Sequence, residues 1–105
     1  RTSASLQRDV DGATFEIQDM SPSYREFAAA LFEGRAVKSM GYALQAEKIH
    51  ADMFTKAKKA VDGGKDVKLG TMQICSVCGH TLEADEAPDK CPICNAMKAK
   101  YVAFA

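Results

Sequence analysis

Cys75-Ser76-Val77-Cys78-Gly79 and Cys91-Pro92-Ile93-Cys94-Asn95, with twelve residues between Cys78 and Cys91, carry all four cysteines of the chain. Each Cys-x-x-Cys reads as a tight knuckle that aims both sulfurs at one point, with backbone N–H groups of the turn offsetting thiolate charge. The residue after the second sulfur needs a left-handed conformation, which Gly79 adopts freely and Asn95 tolerates. Two facing knuckles make a closed tetrahedral four-thiolate site. Two disulfides, or four unrelated thiols, are the competing readings, and the paired spacing in so short a segment favours metal. Zinc and iron both accept this geometry. Zinc would be structural and redox-silent, whereas iron would carry single electrons. His80 reads as a packing or surface residue, because four sulfurs already close the site.

Around the knuckles lie short apolar pieces, Met72-Gln73-Ile74 and Tyr101-Val102-Ala103-Phe104, broken by Gly, Pro and Cys. Such a region is too short to build a core without a cross-link or metal. Gly63 to Asp66 reads as a linker, dividing the chain into residues 1–64 and 65–105.

Upstream of the linker the texture is helical. Leu6, Val10, Ala13, Ile17, Met20, Tyr24, Phe27 and Leu31 recur at steps of three and four, a continuous apolar seam on one long helix. Ser3 and Ser5 are available as N-caps. Pro22 predicts a kink or local irregularity. Glu33-Gly34-Arg35 reads as the turn, with Gly34 as the helix stop. A second helix from about Ala36 to Val61 gathers Ala36, Met40, Ala43, Glu47, His50, Phe54, Ala57 and Val61 on one face and ends at Asp62-Gly63-Gly64. The predicted fold class is mainly α: an antiparallel helical hairpin followed by a small metal-held β unit.

At 105 residues the chain suits one ordinary domain, or two small units that each need support. Fourteen Lys and Arg balance fourteen Asp and Glu, so there is no basic footprint for nucleic acid. No apolar run reaches membrane-spanning length and no charged-then-apolar leader opens the chain, so a soluble, cytoplasmic protein is expected.

Glu47 and His50, three residues apart, project from one side of their helix, near the middle of its apolar face. A buried carboxylate there needs a partner. Glu-x-x-His on an inward face is the ligand pattern of carboxylate-bridged two-metal sites in four-helix bundles, although such pairs also occur on solvated faces. On the facing helix Glu16 lies about 68° from the seam if the helix is regular, at a similar depth to His50. Asp19 points further out, and the seam centre at this depth is Ala13, which has no donor.

Taken together these residues resemble the C-terminal part of a rubrerythrin. The likeness is collinear from Ser5-Leu6-Gln7 to Phe104 and rests on Gly12-x-x-x-Glu16-x-x-Asp19-Met20-x-Pro22, Ala46-Glu47-Lys48-Ile49-His50-Ala51, Cys75-x-x-Cys78-Gly79 and Glu86-Ala87-Pro88-x-x-Cys91-Pro92-x-Cys94. The resemblance implies a ferritin-like four-helix bundle with a non-haem di-iron centre, joined to a rubredoxin-like Fe(Cys)4 domain. It implies a peroxidase that reduces hydrogen peroxide with electrons from a redox donor protein. In that scheme Glu47 bridges the irons, His50 binds one, Glu16 is a further carboxylate ligand, and Cys75, Cys78, Cys91 and Cys94 hold the electron-transfer iron.

The chain departs from that pattern. Ala13 stands where the family has a ligating Glu, Ser21 where it has Tyr, and Asn95 where it has Gly, and the first two helices of the bundle are missing. One copy thus offers at most three di-metal ligands where the bundle uses six or more. A second copy of the chain, or a separate N-terminal half, is expected to complete the bundle, and no stable monomer is expected. With Arg1 rather than Met at position 1, the chain reads as part of something larger. The competing functions are an Fe(Cys)4 electron-transfer module with a degenerate di-iron site, and a structural zinc ribbon.

Overall fold

Two helical arms form the first half of the chain in the computed structural model, which describes residues 2–105. The first arm runs as α1 (Thr2–Phe15), a π-helical turn (Glu16–Met20) and α2 (Ser21–Ala30). Pro22 accounts for the wide turn. Its nitrogen has no hydrogen to donate and its ring crowds the carbonyl four residues back, so a regular α-helix cannot pass through it unchanged. The backbone widens the preceding turn, and the Ser21 N–H reaches the Glu16 carbonyl, five residues back. Pro22 then sits in the first turn of α2, where a missing donor costs little. The expected irregularity is therefore a π turn.

A π turn takes up about one extra residue, so everything beyond it is rotated by about 100°. The seam expected at Met20, Tyr24, Phe27 and Leu31 moves on by one position. Ser21 and Ala28 are buried, and the Arg25 guanidinium carbon packs 3.8 Å from where a Cβ on Gly41 would stand. Tyr24, Phe27 and Leu31 are each more than half exposed.

The connection between the arms also differs from expectation. Phe32, not Gly34, takes the left-handed conformation (φ +56°), and Gly34 opens α3 (Gly34–Asp62). The first arm closes earlier because the Phe32 N–H bonds the Ala29 carbonyl (3.1 Å) and the Glu33 N–H bonds the Ala28 carbonyl (2.9 Å). Ser3 and Ser5 lie inside α1 rather than capping it. Ser3 instead donates its hydroxyl hydrogen to Asp62, which ties the start of the first arm to the end of α3 and sets the arms antiparallel.

Beyond α3, residues 63–71 carry no regular element. A three-stranded antiparallel sheet follows, with β1 (Met72–Cys75) between β2 (Thr81–Glu83) and β3 (Tyr101–Phe104). In register, Ile74 faces Thr81 on one side, and Cys75 faces Tyr101 on the other. Buried Gln73 donates its amide to the Ala84 and Asp85 carbonyls and pins the loop leaving β2.

Among the described residues the buried apolar set is small: Ala13, Ala28, Ala46, Cys75 and Cys91. The large apolar side chains Phe15, Tyr24, Phe27 and Leu31 face outward instead. The arms touch through alanines and a serine, and among the described residues nothing covers one apolar flank of the hairpin.

Candidate functional site

Both cysteine knuckles share one construction. In the first, the Gly79 N–H bonds the Cys75 carbonyl and the Cys75 N–H bonds the His80 carbonyl, both at 2.9 Å. In the second, the Asn95 N–H bonds the Cys91 carbonyl (2.9 Å) and the Cys91 N–H bonds the Ala96 carbonyl (2.8 Å). Gly79 (φ +84°) and Asn95 (φ +65°) hold the left-handed positions. The knuckles face each other with Sγ–Sγ separations of 3.7 Å for Cys75–Cys94 and 3.5 Å for Cys78–Cys91, and all four sulfurs lie within 4.8 Å of one another. A tetrahedron with metal–sulfur arms of about 2.3 Å has edges of about 3.8 Å. The four sulfurs fit a tetrahedral metal ion with little movement.

Their electrostatics favour a cation. Burial pushes the Cys78 and Cys94 thiols up. Burial acts the same way on Cys91, yet hydrogen bonds from the Cys94 N–H, the Tyr101 hydroxyl and the Ile93 N–H carry it down to about 6. Cys91 thus ionises more readily than Cys78 and Cys94, and a metal ion would relieve the crowding by holding all four as thiolates.

The helical carboxylates gather next to this unit. Glu16, Glu47 and His50 line one open cavity of about 340 Å³, together with Arg8, Gly12 and Ala13. Burial raises the Glu16 pKa, the hydrogen bond and charge of Glu47 raise it further, and His50 opposes them. Asp19 is exposed. The cysteines are the one group of three or more potential ligands that closes to metal-binding distance among the described residues. Glu16, Glu47 and His50 share a cavity without closing a site.

His50 joins the two halves. Its Nε2 lies 3.0 Å from the Gly79 carbonyl oxygen and 3.1 Å from Thr81 Oγ1. A carbonyl only accepts, so Nε2 carries hydrogen and donates. Thr81 spends its own hydroxyl hydrogen on the Gly79 carbonyl (2.9 Å) and accepts from His50. In a neutral ring Nδ1 is then bare, 3.1 Å from the Glu47 carboxylate. Two acceptors at that distance call for a proton or a cation between them. A Cβ on Gly79 would stand 3.7 Å from Ala46 Cβ and 3.9 Å from His50 Cε1, which is ordinary contact, so the positive φ of +84° rather than lack of space is what calls for glycine here.

Residues 1–58 match the family described as rubrerythrin, and residues 73–102 match the rubrerythrin rubredoxin-like domain. The chain belongs to the rubrerythrin family. It is 42% identical to rubrerythrin-2 of Clostridium acetobutylicum over 95% of this chain and 54% of that protein. It is 29% identical to nigerythrin of Nitratidesulfovibrio vulgaris over 95% of this chain and 48% of that one. Solved structures of nigerythrin in partially reduced and fully reduced, all-ferrous states superpose with a TM-score of 0.81 at 26% identity, covering 97% of this chain and 48% of theirs. The chain spans about half the length of the curated relatives it matches. No helix among the described residues is long and apolar enough to cross a membrane.

His80 takes the packing side of its packing-or-surface reading, and two contacts of this rubrerythrin-family site were not anticipated from sequence. His80 is buried with its Nδ1 2.7 Å from the Tyr101 hydroxyl, and the His50–Gly79 contact spans 29 residues. The first depends on the strand pairing of Tyr101 with Cys75, 26 residues apart in sequence. The second is a tertiary contact with no local signal.

Proposed function

We propose that this chain works in a rubrerythrin-type oxidoreductase that reduces hydrogen peroxide, with electrons relayed through iron held by Cys75, Cys78, Cys91 and Cys94, and with activity only in an assembled bundle. The observation that carries this reading is the His50 ring, which spans from the Glu47 carboxylate to the Gly79 carbonyl, one residue beyond Cys78. The all-ferrous state described for nigerythrin favours iron over zinc. Iron in a tetrathiolate site supplies a one-electron couple.

The chain's own residues would act as follows. The four cysteines hold the ion, and the knuckle N–H groups offset its negative charge. His50 keeps Nε2–H on the Gly79 carbonyl, so that Nδ1 faces the carboxylate cavity. Glu16 and Glu47 line the same cavity as His50, and peroxide reduction to two waters consumes two protons with two electrons. Glu16, Glu47 and His50 fit one side of a di-iron ligand set. A second helical pair, from another copy or from a separate N-terminal half, would supply the other side and cover the exposed flank.

A specific observation favours a second reading, an electron-transfer module without a di-iron centre: Ala13 and Ser21 are both buried where the arms meet and bring no carboxylate or phenol. The test is metal content and peroxide turnover of the native-source assembly with a reduced donor protein. About three irons per active site with turnover support the peroxidase. One iron per chain without turnover supports the module, and zinc alone removes both.

A further inference from the structure

We propose that Thr81 and the Gly79 carbonyl clamp the His50 ring so that its second nitrogen faces the carboxylate cavity, and that filling the cysteine site thereby raises the affinity of that cavity for a divalent cation. The proposal rests on the reading of Glu16, Glu47 and His50 as metal donors. His50 belongs to α3, but two groups that hold its Nε2 edge come from the cysteine unit: the Gly79 carbonyl oxygen at 3.0 Å and Thr81 Oγ1 at 3.1 Å. The Thr81 hydroxyl bonds the same carbonyl at 2.9 Å, so the nitrogen, the carbonyl and the hydroxyl close a triangle. Thr81 opens β2 opposite Ile74, the residue before Cys75, and Gly79 follows Cys78 directly. Each clamp residue is thereby tied to a cysteine of the first knuckle.

One hydrogen arrangement suits all three atoms. The carbonyl only accepts, so it takes hydrogens from both Nε2 and the Thr81 hydroxyl, and a lone pair of that hydroxyl receives the Nε2–H as well. Turning the Thr81 hydroxyl towards a bare Nε2 would set that nitrogen against the carbonyl, acceptor to acceptor, at 3.0 Å. Two acceptors for one N–H fix the rotation of the ring as well as its hydrogen. Nδ1 then stands 3.1 Å from the Glu47 carboxylate, in the cavity that Glu16 also lines. Metal-binding histidines are held in this manner, with the nitrogen away from the metal donating to a carbonyl. Thr81 does not line the cavity, so it is a positioning residue that acts through His50. Among the described residues the cysteine unit buries only Gln73, Cys75, His80 and Cys91, so metal in the cysteine site is what holds the clamp in place. Linkage makes the effect mutual: a cation in the cavity favours the docked cysteine unit to the same degree.

The test uses the assembled protein with zinc in the cysteine site and Mn(II) as the probe of the cavity, because Mn(II) prefers oxygen and nitrogen donors to thiolates. Mn(II) binding is followed by the paramagnetic resonance of the free ion. Thr81→Val keeps the shape, removes the hydroxyl and is expected to weaken Mn(II) binding about three- to tenfold, since the Gly79 carbonyl still holds part of the clamp. Thr81→Ser restores the hydroxyl and is expected to recover the parent affinity. Leaving the cysteine site empty removes both acceptors and is expected to weaken Mn(II) binding about tenfold or more. Nitrogen NMR of His50 in the zinc-loaded protein, with the cavity empty, is expected to show hydrogen on Nε2. Equal Mn(II) affinity in the parent and Thr81→Val, or with and without zinc, overturns the proposal and leaves the di-iron reading standing. No Mn(II) binding in any form defeats the di-iron reading and the coupling with it. A bare Nε2 overturns the clamp whatever the cavity binds.

Discussion

Replacing His50 with Phe keeps a ring of similar size on α3 and removes both ring nitrogens. The bridge from α3 to the cysteine unit loses the Nε2–H donor to the Gly79 carbonyl and the Thr81 hydroxyl. A net hydrogen bond contributes about 1 kcal/mol, and a stranded buried acceptor adds a further 1–3 kcal/mol. The Gly79 carbonyl is not stranded, because Thr81 still donates to it at 2.9 Å. The His50 side chain is also about a quarter exposed, so water reaches the gap. The expected loss is therefore about 1–2 kcal/mol, a five- to thirtyfold rise in the population with the cysteine unit released from α3. Exposed Lys65 and Lys68 lie in the segment between α3 and β1 and report on that population. Trypsin cleavage there tracks the open fraction when reclosing outpaces cleavage. The zinc-loaded His50→Phe chain should be cut five- to thirtyfold faster at these lysines, with far-UV dichroism unchanged, and His50→Gln, which restores a donor, should recover part of the protection. Equal cleavage rates in parent and His50→Phe would refute the view that this hydrogen bond docks the two halves.

Further outcomes follow from the same geometry. Cys75→Ser should abolish stoichiometric metal binding, and a chelator should melt β1–β3 while sparing most helical dichroism, because nothing but Cys75, Gln73, His80 and Cys91 is buried in that unit. Glu16→Gln should stabilise the metal-free chain at neutral pH. The Glu16 pKa is raised on folding, so its contribution is present below the ordinary carboxylate range and is lost as pH rises through the folded value; the melting-temperature gap between variant and parent should close below about pH 4.5. Phe32→Gly should raise stability by about 1 kcal/mol in chemical denaturation, since Phe32 is left-handed, a conformation that costs an L-residue roughly 1–2 kcal/mol, and its side chain is almost fully exposed. Phe27→Asp should lower the mass seen by light scattering at micromolar concentration, and a parent chain that is already a folded monomer would contradict the need for a covering surface.

The cysteine cluster was legible because its signal is local: spacing, a glycine and an asparagine at the left-handed positions, and nothing else is required to bring four sulfurs together. Helical periodicity found both arms but misplaced the face of the second half of the first arm. A fixed rotation of 100° per residue holds only while the helix stays regular, and Pro22 signals an irregularity without saying whether the backbone bends or inserts a π turn. Gly34 misled for a related reason. Glycine marks freedom to take positive φ, but the N–H groups of Phe32 and Glu33 found partners first and put the reversal two residues earlier. Glu47 and His50 were visible as a pair, whereas the second nitrogen of His50 meets a carbonyl 29 residues away and leaves no mark in the local pattern.

The π turn also decides which way the incomplete site opens. On an uninterrupted helix Tyr24 and Phe27 would lie within about 40° of Ala13 and point into the contact between the arms. With one residue's rotation taken up by the turn, they swing to about 80° and 140° from Ala13. Glu16 and Gly12 lie on that same side, at about 60° and 100°, and both line the carboxylate cavity. Small residues, Ala13, Ser21 and Ala28, are left to let the arms close on α3. The exposed aromatics and the open cavity are thus one flank of the hairpin rather than two unrelated defects. A helical surface running the length of this flank would cover Tyr24 and Phe27 together with Glu16, and under the di-iron reading proposed above the same surface would be the place for the remaining donors.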